Sequence, residues 1–116
     1  MLIRIDADST TAIYDQVAAS VRADLIAGRL TPGDRLPAAR EVAEALDINV
    51  HTVLRAYQQL RDEGLVDLRR GRGAVIARSA APLADLADDV RALVARASAL
   101  GIAPATLAAL VKETTP

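Results

Sequence analysis

The sequence predicts a mostly α-helical fold with one small β-hairpin, and three observations carry that prediction. Apolar residues recur at helical spacing over most of the chain. One stretch, LVDLRRGRGAVIAR, alternates with a period of two around a glycine-rich tip. The apolar material, 52 % of 116 residues, is almost entirely Ala, Leu, Val and Ile, with no Phe, Trp or Cys.

In chain order, Ile13, Val17, Val21 and Leu25 lie at i, i+4, i+8 and i+12, one stripe of an amphipathic helix. Thr10 or Thr11 is expected to cap its start, and Gly28 to supply the left-handed residue that ends it. Pro32-Gly33 fits the centre of a type II turn, and Arg35-Leu36 reads as a very short strand. AAREVAEALDINVHTVLRAYQQLRDEGL then reads as two helices with a tight break. The first runs from about Ala39 to Leu46 and buries Val42 and Leu46. The break is Asp47-Ile48-Asn49, with Asp47 left-handed and Asn49 capping the second helix. Val53, Ala56, Tyr57 and Leu60 form that helix's buried face, and Gly64 ends it. Val66 and Leu68 are expected to point one way on the outgoing strand, with Val75 and Ala77 on the return and Arg70-Gly71-Arg72-Gly73 at the tip.

Two short helices joined by three or four residues are a helix-turn-helix, and a hairpin directly after them makes a winged helix-turn-helix. After the linker SAAP, Pro82 suits the first turn of a new helix. Leu83, Leu86, Val90, Leu93, Ala97 and Leu100 follow at spacings of three and four, a heptad seam. Gly101 ends it, and Pro104 opens a last helix carrying Leu107, Leu110 and Val111. The expected organisation is a winged helix-turn-helix DNA-binding domain over 1–78 and a two-helix dimerisation tail, a helical hairpin, over 79–116. A lone hairpin of this size cannot bury the apolar faces of both helices, so the tail residues from Leu83 to Val111 just named are the candidate dimer contacts.

Composition narrows the function. With no cysteine there is no disulfide framework or thiolate metal site. No apolar run approaches the roughly 18 residues of a membrane span. The N-terminus MLIRIDADSTT is acidic and polar where a signal peptide needs an apolar core, so a cytoplasmic protein is expected. One His, no phosphate-cradling glycine loop and no paired acids argue against an enzyme, and no cofactor is expected. Two Tyr as the whole aromatic complement argue against single-stranded or RNA recognition, which stacks bases on rings.

The net charge of −1 argues mildly against a nucleic-acid partner, but its distribution does not. Residues 1–48 hold five Arg against eight acids, whereas residues 49–78 hold six Arg against three. The stretch from Arg69 to Arg78 has four Arg and no acid, where a phosphate-facing surface needs them.

LPAAREVAEALDINVHTVLRAYQQLRDEGLVDLRRGRGAVI resembles the DNA-binding domain of the GntR family of bacterial regulators, over roughly residues 11 to 78. The resemblance rests on IYDQV, the TPGDRLP turn, Arg40 two residues before Val42, HTVLRAY, EGLV and RRGRG in that order. The RAY run and short tail look like the YtrA-type subfamily. The resemblance implies a homodimer on an inverted repeat, usually a repressor, often controlling nearby transporter genes. Its DNA-contact positions fall on Arg40, Asn49, His51, Thr52 and Arg55, with Arg70, Gly71, Arg72 and Gly73 at the wing tip. The sequence departs from the family pattern at Ala38 (commonly Ser), Asp47 (Gly), Asn49-Val50-His51 (Asn-Pro-Asn), and Ala74 and Val75 (Thr and an aromatic).

Structural roles compete at several of these positions. Asn49 can serve only as a cap, Arg40 can pair with Glu44, and Arg69 can be a sheet-edge charge. His51, with no second ligand at helical spacing, is expected to meet base or phosphate rather than a metal. The expected partners are double-stranded DNA with a palindromic operator and a second copy of the chain, with no membrane and no small-molecule effector assigned. The alternative is a winged-helix protein-interaction module that binds no DNA, which would not need basic residues on both the helix and the wing.

Overall fold

The computed structural model describes residues 3–116, so the first two residues of the expected 1–78 domain lie outside the described residues. The chain divides into two compact units, one ending at Ala84 and one spanning Asp85–Pro116. The first contains α1 (Ile13–Ile26), α2 (Ala39–Leu46), α3 (Val50–Asp62), β1 (Val66–Arg69) and β2 (Gly73–Ile76). A 3₁₀ turn at Arg78–Ala80 leads into α4 (Pro82–Ala99), which is followed by α5 (Pro104–Thr114).

The stripe of α1 is buried as its spacing demands, with Val17 and Val21 fully enclosed and Leu25 nearly so. Its cap is not the expected threonine: Ala12 holds the N-cap position and makes no side-chain cap bond. Gln16, one turn in, takes over the local hydrogen bonding. Its amide donates to the Thr11 and Asp6 carbonyls at 2.9 and 3.0 Å, and its Oε1 accepts from the Asp6 N–H at 2.6 Å. Ser20 does the same further along, bonding both backbone groups of Arg4. These contacts strap the N-terminal segment along α1 and seat Ile3 in the core.

α2 and α3 meet at Asp47, which sits left-handed at φ 54°, ψ 51°. The Ile48 N–H returns to the Ala43 carbonyl at 3.0 Å, closing the end of α2, and Asn49 then opens α3 by accepting from the His51 N–H at 2.8 Å. Val53, Ala56, Tyr57 and Leu60 turn inward from α3 onto α1, α2 and β1. Leu60 is fully enclosed, so its truncation to Ala is worth about 2–5 kcal/mol. Across the far ends of α1 and α3, Arg22 makes a two-pronged contact with Glu63 at 2.9 and 2.6 Å. That bond raises the Arg22 pKa.

The hairpin pairs Val66 with Ile76, Asp67 with Val75, Leu68 with Ala74 and Arg69 with Gly73. Directly opposed residues share a face, so Ile76 and Ala74, not Val75 and Ala77, lie beside Val66 and Leu68. The physical reason is the loop: only Arg70, Gly71 and Arg72 are unpaired, and a one-residue change at the tip flips the face of the return strand. Leu68 leaves the core altogether, toward the overhanging end of the hairpin, and is 40 % exposed.

The expected strand at Arg35-Leu36 is reduced to one antiparallel bridge from Arg35 to Val75. The segment is nonetheless clipped along β2: Gly33 N–H to the Ile76 carbonyl, Ile76 N–H to the Asp34 carbonyl, and Leu36 N–H to the Ala74 carbonyl, at 2.8–2.9 Å. The preceding turn has Gly33 at φ 94°, a value type II geometry reserves for glycine, and is closed by Asp34 N–H to the Thr31 carbonyl.

In the second unit α4 and α5 are joined through Gly101-Ile102-Ala103 and share little packing. Leu86, Val90, Leu93, Val94, Leu100, Leu110 and Val111 are exposed, Leu107 is half-buried, and Ala97 is buried. Leu83, in the first turn of α4, packs half-buried against the core of the first unit. Among the described residues no helix is long and apolar enough to cross a membrane.

Candidate nucleic-acid interface

The first two turns of α3 project three exposed side chains, His51, Leu54 and Arg55, with Thr52 half-buried beside them. Asn49 uses its Oδ1 for the cap, which leaves its amide NH₂ as a donor pointing away from the helix backbone. The cap role and a DNA contact are therefore compatible at this residue.

The guanidinium of Arg55 lies 3.9 Å from the centroid of the Tyr14 ring. A cation over a ring face gains about 0.5–1 kcal/mol at an exposed site, and the contact holds Arg55 toward the α1 side of α3. Tyr14 itself packs half-buried on the core. Sequence reasoning did not single out Tyr14. The available signal was its place beside the α1 stripe, three residues before Val17.

Arg40 is exposed on the first turn of α2, and the alternative Arg40–Glu44 pair is not formed. At the wing, Arg69 is engaged by Asp67 at 3.3 Å. Arg70 and Arg72 are exposed and, among the described residues, in no ion pair. Gly71 and Gly73 sit at φ 79° and 70° with open space where a side chain would be, so the tip is slim and backbone-lined. Arg35 donates from Nε to the Arg72 carbonyl at 3.1 Å and is likewise free of any carboxylate. It too was missed in the sequence, where it read as a strand residue.

These elements enclose a groove of about 750 Å³ between the Arg35–Ala39 segment, α3 and the hairpin. Its lining combines Arg35, Arg69, Arg70 and Arg72 with one acid, Glu41, and with Leu54, Tyr57 and Leu68. The Tyr57 hydroxyl donates to the Pro37 carbonyl at 2.7 Å, fixing the chain just ahead of α2. Burial pushes the Tyr57 pKa well above the usual phenol value, and the charge of Glu41 adds to the shift. The site therefore combines a groove lined by three arginines that are in no ion pair among the described residues with a helix presenting one imidazole and one leucine. No nucleophile with an adjacent base is assembled there.

The pattern for gntR-family bacterial regulatory proteins matches residues 13–76, which takes in every element of the groove. The HTH-type transcriptional repressor YtrA of Bacillus subtilis is 39 % identical over 79 residues, 68 % of this chain, which spans 61 % of that relative's length. The HTH-type transcriptional regulator Rv1152 of Mycobacterium tuberculosis is 34 % identical over 100 residues, 86 % of this chain and 83 % of the relative. Among solved structures, YtrA from Sulfolobus acidocaldarius, a GntR-family transcription factor, superposes with a TM-score of 0.62 at 35 % identity, covering 85 % of this chain and 99 % of that one. The helix-turn-helix, the clipped hairpin and the arginines around them thus lie within a matched pattern that covers more than half of the sequence, and the chain belongs to the GntR family of bacterial regulatory proteins.

Proposed function

We propose that this chain is a sequence-specific double-stranded DNA-binding transcriptional regulator, a repressor that works in the cytosol as a homodimer on an inverted repeat. The observation that carries the reading is that, among the described residues, Arg35, Arg40, Arg70 and Arg72 at the α2 entry and the wing, together with Arg55 on α3, are in no ion pair. Exposed cations left unpaired on both helix and wing suit a polyanion that runs past both. Asn49, His51 and Thr52 at the start of α3 sit where a recognition helix meets base edges, Arg55 beside them reaches phosphate from the α1 side, and Gly71 and Gly73 let the wing backbone approach the duplex closely.

The dimer part rests on the tail. Leu86, Val90, Leu93, Leu100, Leu110 and Val111 are exposed on and between α4 and α5, with Ala97 buried, Leu107 half-buried, and Leu83 in the first turn of α4 half-buried. A second copy is the occupant favoured by charge. Asp85 at the start of α4, Asp89 at its middle and Arg96 near its end have no ion-pair partner among the described residues. Antiparallel α4 helices from two copies bring these opposite charges together. A two-fold dimer carries two copies of α3, which suits an inverted repeat with half-site centres about 10 bp or a multiple of that apart.

The test is selection of bound sequences from a random duplex library, followed by titration of the recovered sequence at two salt concentrations. A palindrome bound in a steeply salt-dependent way is the expected result. Failure to enrich any sequence, from folded protein, overturns the reading in favour of a winged-helix protein-interaction module.

A further inference from the structure

We propose that Leu54 is a specificity-determining residue that reads the 5-methyl group of a thymine in each half-site. The inference deepens the DNA-binding reading and rests on it. Of the three exposed side chains in the first two turns of α3, Arg55 is drawn aside over Tyr14 at 3.9 Å, and Leu54 is the one that lines the groove shared with the wing. Leu54 is 40 % exposed, and a second leucine exposed to the same extent, Leu68, lines the same groove. Every other exposed residue of α3 is polar or charged: His51, Arg55, Gln58, Arg61 and Asp62.

The groove therefore asks for two properties in one ligand. Three arginines of its lining, Arg35, Arg70 and Arg72, are in no ion pair among the described residues and outnumber the one acid there, Glu41, which calls for a polyanion, while Leu54 and Leu68 in the same lining call for an apolar group. In the major groove of duplex DNA the apolar group on a base edge is the thymine methyl. A leucine one turn into a recognition helix, with phosphate-seeking cations beside it, meets that description. Cytosine, which carries a hydrogen where thymine has the 5-methyl, offers it no such contact.

The test uses the full chain and the palindrome recovered by selection, with each thymine replaced in turn by deoxyuridine, which removes the methyl and nothing else. One thymine position is expected to be sensitive. Losing one methyl contact weakens binding about fourfold, the equivalent of ~0.8 kcal/mol, and about fifteenfold when both half-sites are changed. Leu54→Ala is expected to bind the parent duplex more weakly and to bind thymine and uracil equally at that position. Its affinity for random duplex and its melting temperature should stay at wild-type values. Leu54→Gln, of similar volume, is expected to lose the same thymine preference and guards against a folding defect in the alanine variant. Insensitivity to deoxyuridine at every position, or full thymine discrimination in both variants, overturns the proposal. A library selection that yields no sequence would instead overturn the DNA-binding reading beneath it.

Discussion

Replacing Arg72 by Ala removes a wing-tip cation that has no carboxylate partner among the described residues. The hydrogen bond at this residue that holds the wing comes from Arg35 Nε to the Arg72 backbone carbonyl, and alanine keeps that carbonyl. The variant should therefore fold normally and lose only charge. Each phosphate neutralised by a cation releases about 0.9 counterions, and a dimer presents two copies of Arg72, so the slope of log Kobs against log salt should become shallower by about 1.8. If the contribution vanishes near about 1 M salt, the affinity at about 0.15 M falls roughly 30-fold, or ~2 kcal/mol. Fluorescence anisotropy with the selected duplex and a scrambled one, at four salt concentrations, reads both quantities. A phosphate contact predicts the same fractional loss on both duplexes. Arg61→Ala is the control: Arg61 is paired with Asp62 at 3.3 Å, and its slope should not move. An unchanged slope for Arg72→Ala would refute the assignment of the wing arginines to phosphate, and a change of about half the size would point to a monomer on the DNA.

Three further outcomes follow from the fold. Asp47 is left-handed, which costs a non-glycine residue roughly 1 kcal/mol, and its charge opposes the dipole at the end of α2. Asp47→Gly recovers both, less about 0.5–1 kcal/mol of chain entropy, so its melting temperature should rise by roughly 3–6 °C and exceed that of Asp47→Ala; equal melting temperatures for the two variants would show that no strain is stored there. Tyr57→Phe removes the bond to the Pro37 carbonyl and should cost about 1 kcal/mol near neutral pH. Because burial holds the folded phenol above its unfolded value, the wild type loses stability as pH climbs past about 10, where the unfolded tyrosine ionises first, and the Phe variant escapes that loss. Urea unfolding across that range should show the gap closing, and a gap that stays constant with pH contradicts the linkage. Leu93→Asp on the exposed face of α4, where Leu93 is 47 % exposed, should leave the melting of the first unit untouched yet halve the mass seen by sedimentation. A wild-type chain already monomeric at micromolar concentration removes the tail from the dimer reading.

What could be read from the sequence was local. The 3.6-residue spacing of Val17, Val21, Val53 and Leu60, the cap at Asn49, the left-handed Asp47 and the turn at Gly33 each depend on neighbours a few residues away, so a pattern records them. The features that escaped are set by partners far along the chain. Arg4 meets Ser20, Arg22 meets Glu63 and Arg35 meets Arg72, at separations of 16 to 41 residues, and none leaves a periodic trace. The wing's inward face was displaced by one residue because Gly73 pairs with Arg69 instead of joining the tip, a difference that glycine-rich sequence does not encode strongly. At the site, the exposure of Arg40, His51, Arg55, Arg70 and Arg72 follows from the helix and hairpin patterns, whereas Arg35, Leu54 and Tyr14 escaped, and only the Tyr14 ring reveals which way Arg55 leans.

The joint between wing and helix-turn-helix has an evolutionary consequence. Backbone bonds from Gly33, Asp34 and Leu36 to β2, and the side-chain bond from Arg35 to the wing tip, make the hairpin and the approach to α2 one mechanical piece. A wing transplanted from a relative would have to bring residues 33–36 with it or lose its seat. His51 and Leu54 stand outside that joint, on a helix surface anchored independently by Val53 and Leu60. If the DNA-binding roles proposed above hold, operator preference can drift residue by residue along α3 while the wing's contacts are inherited as a block.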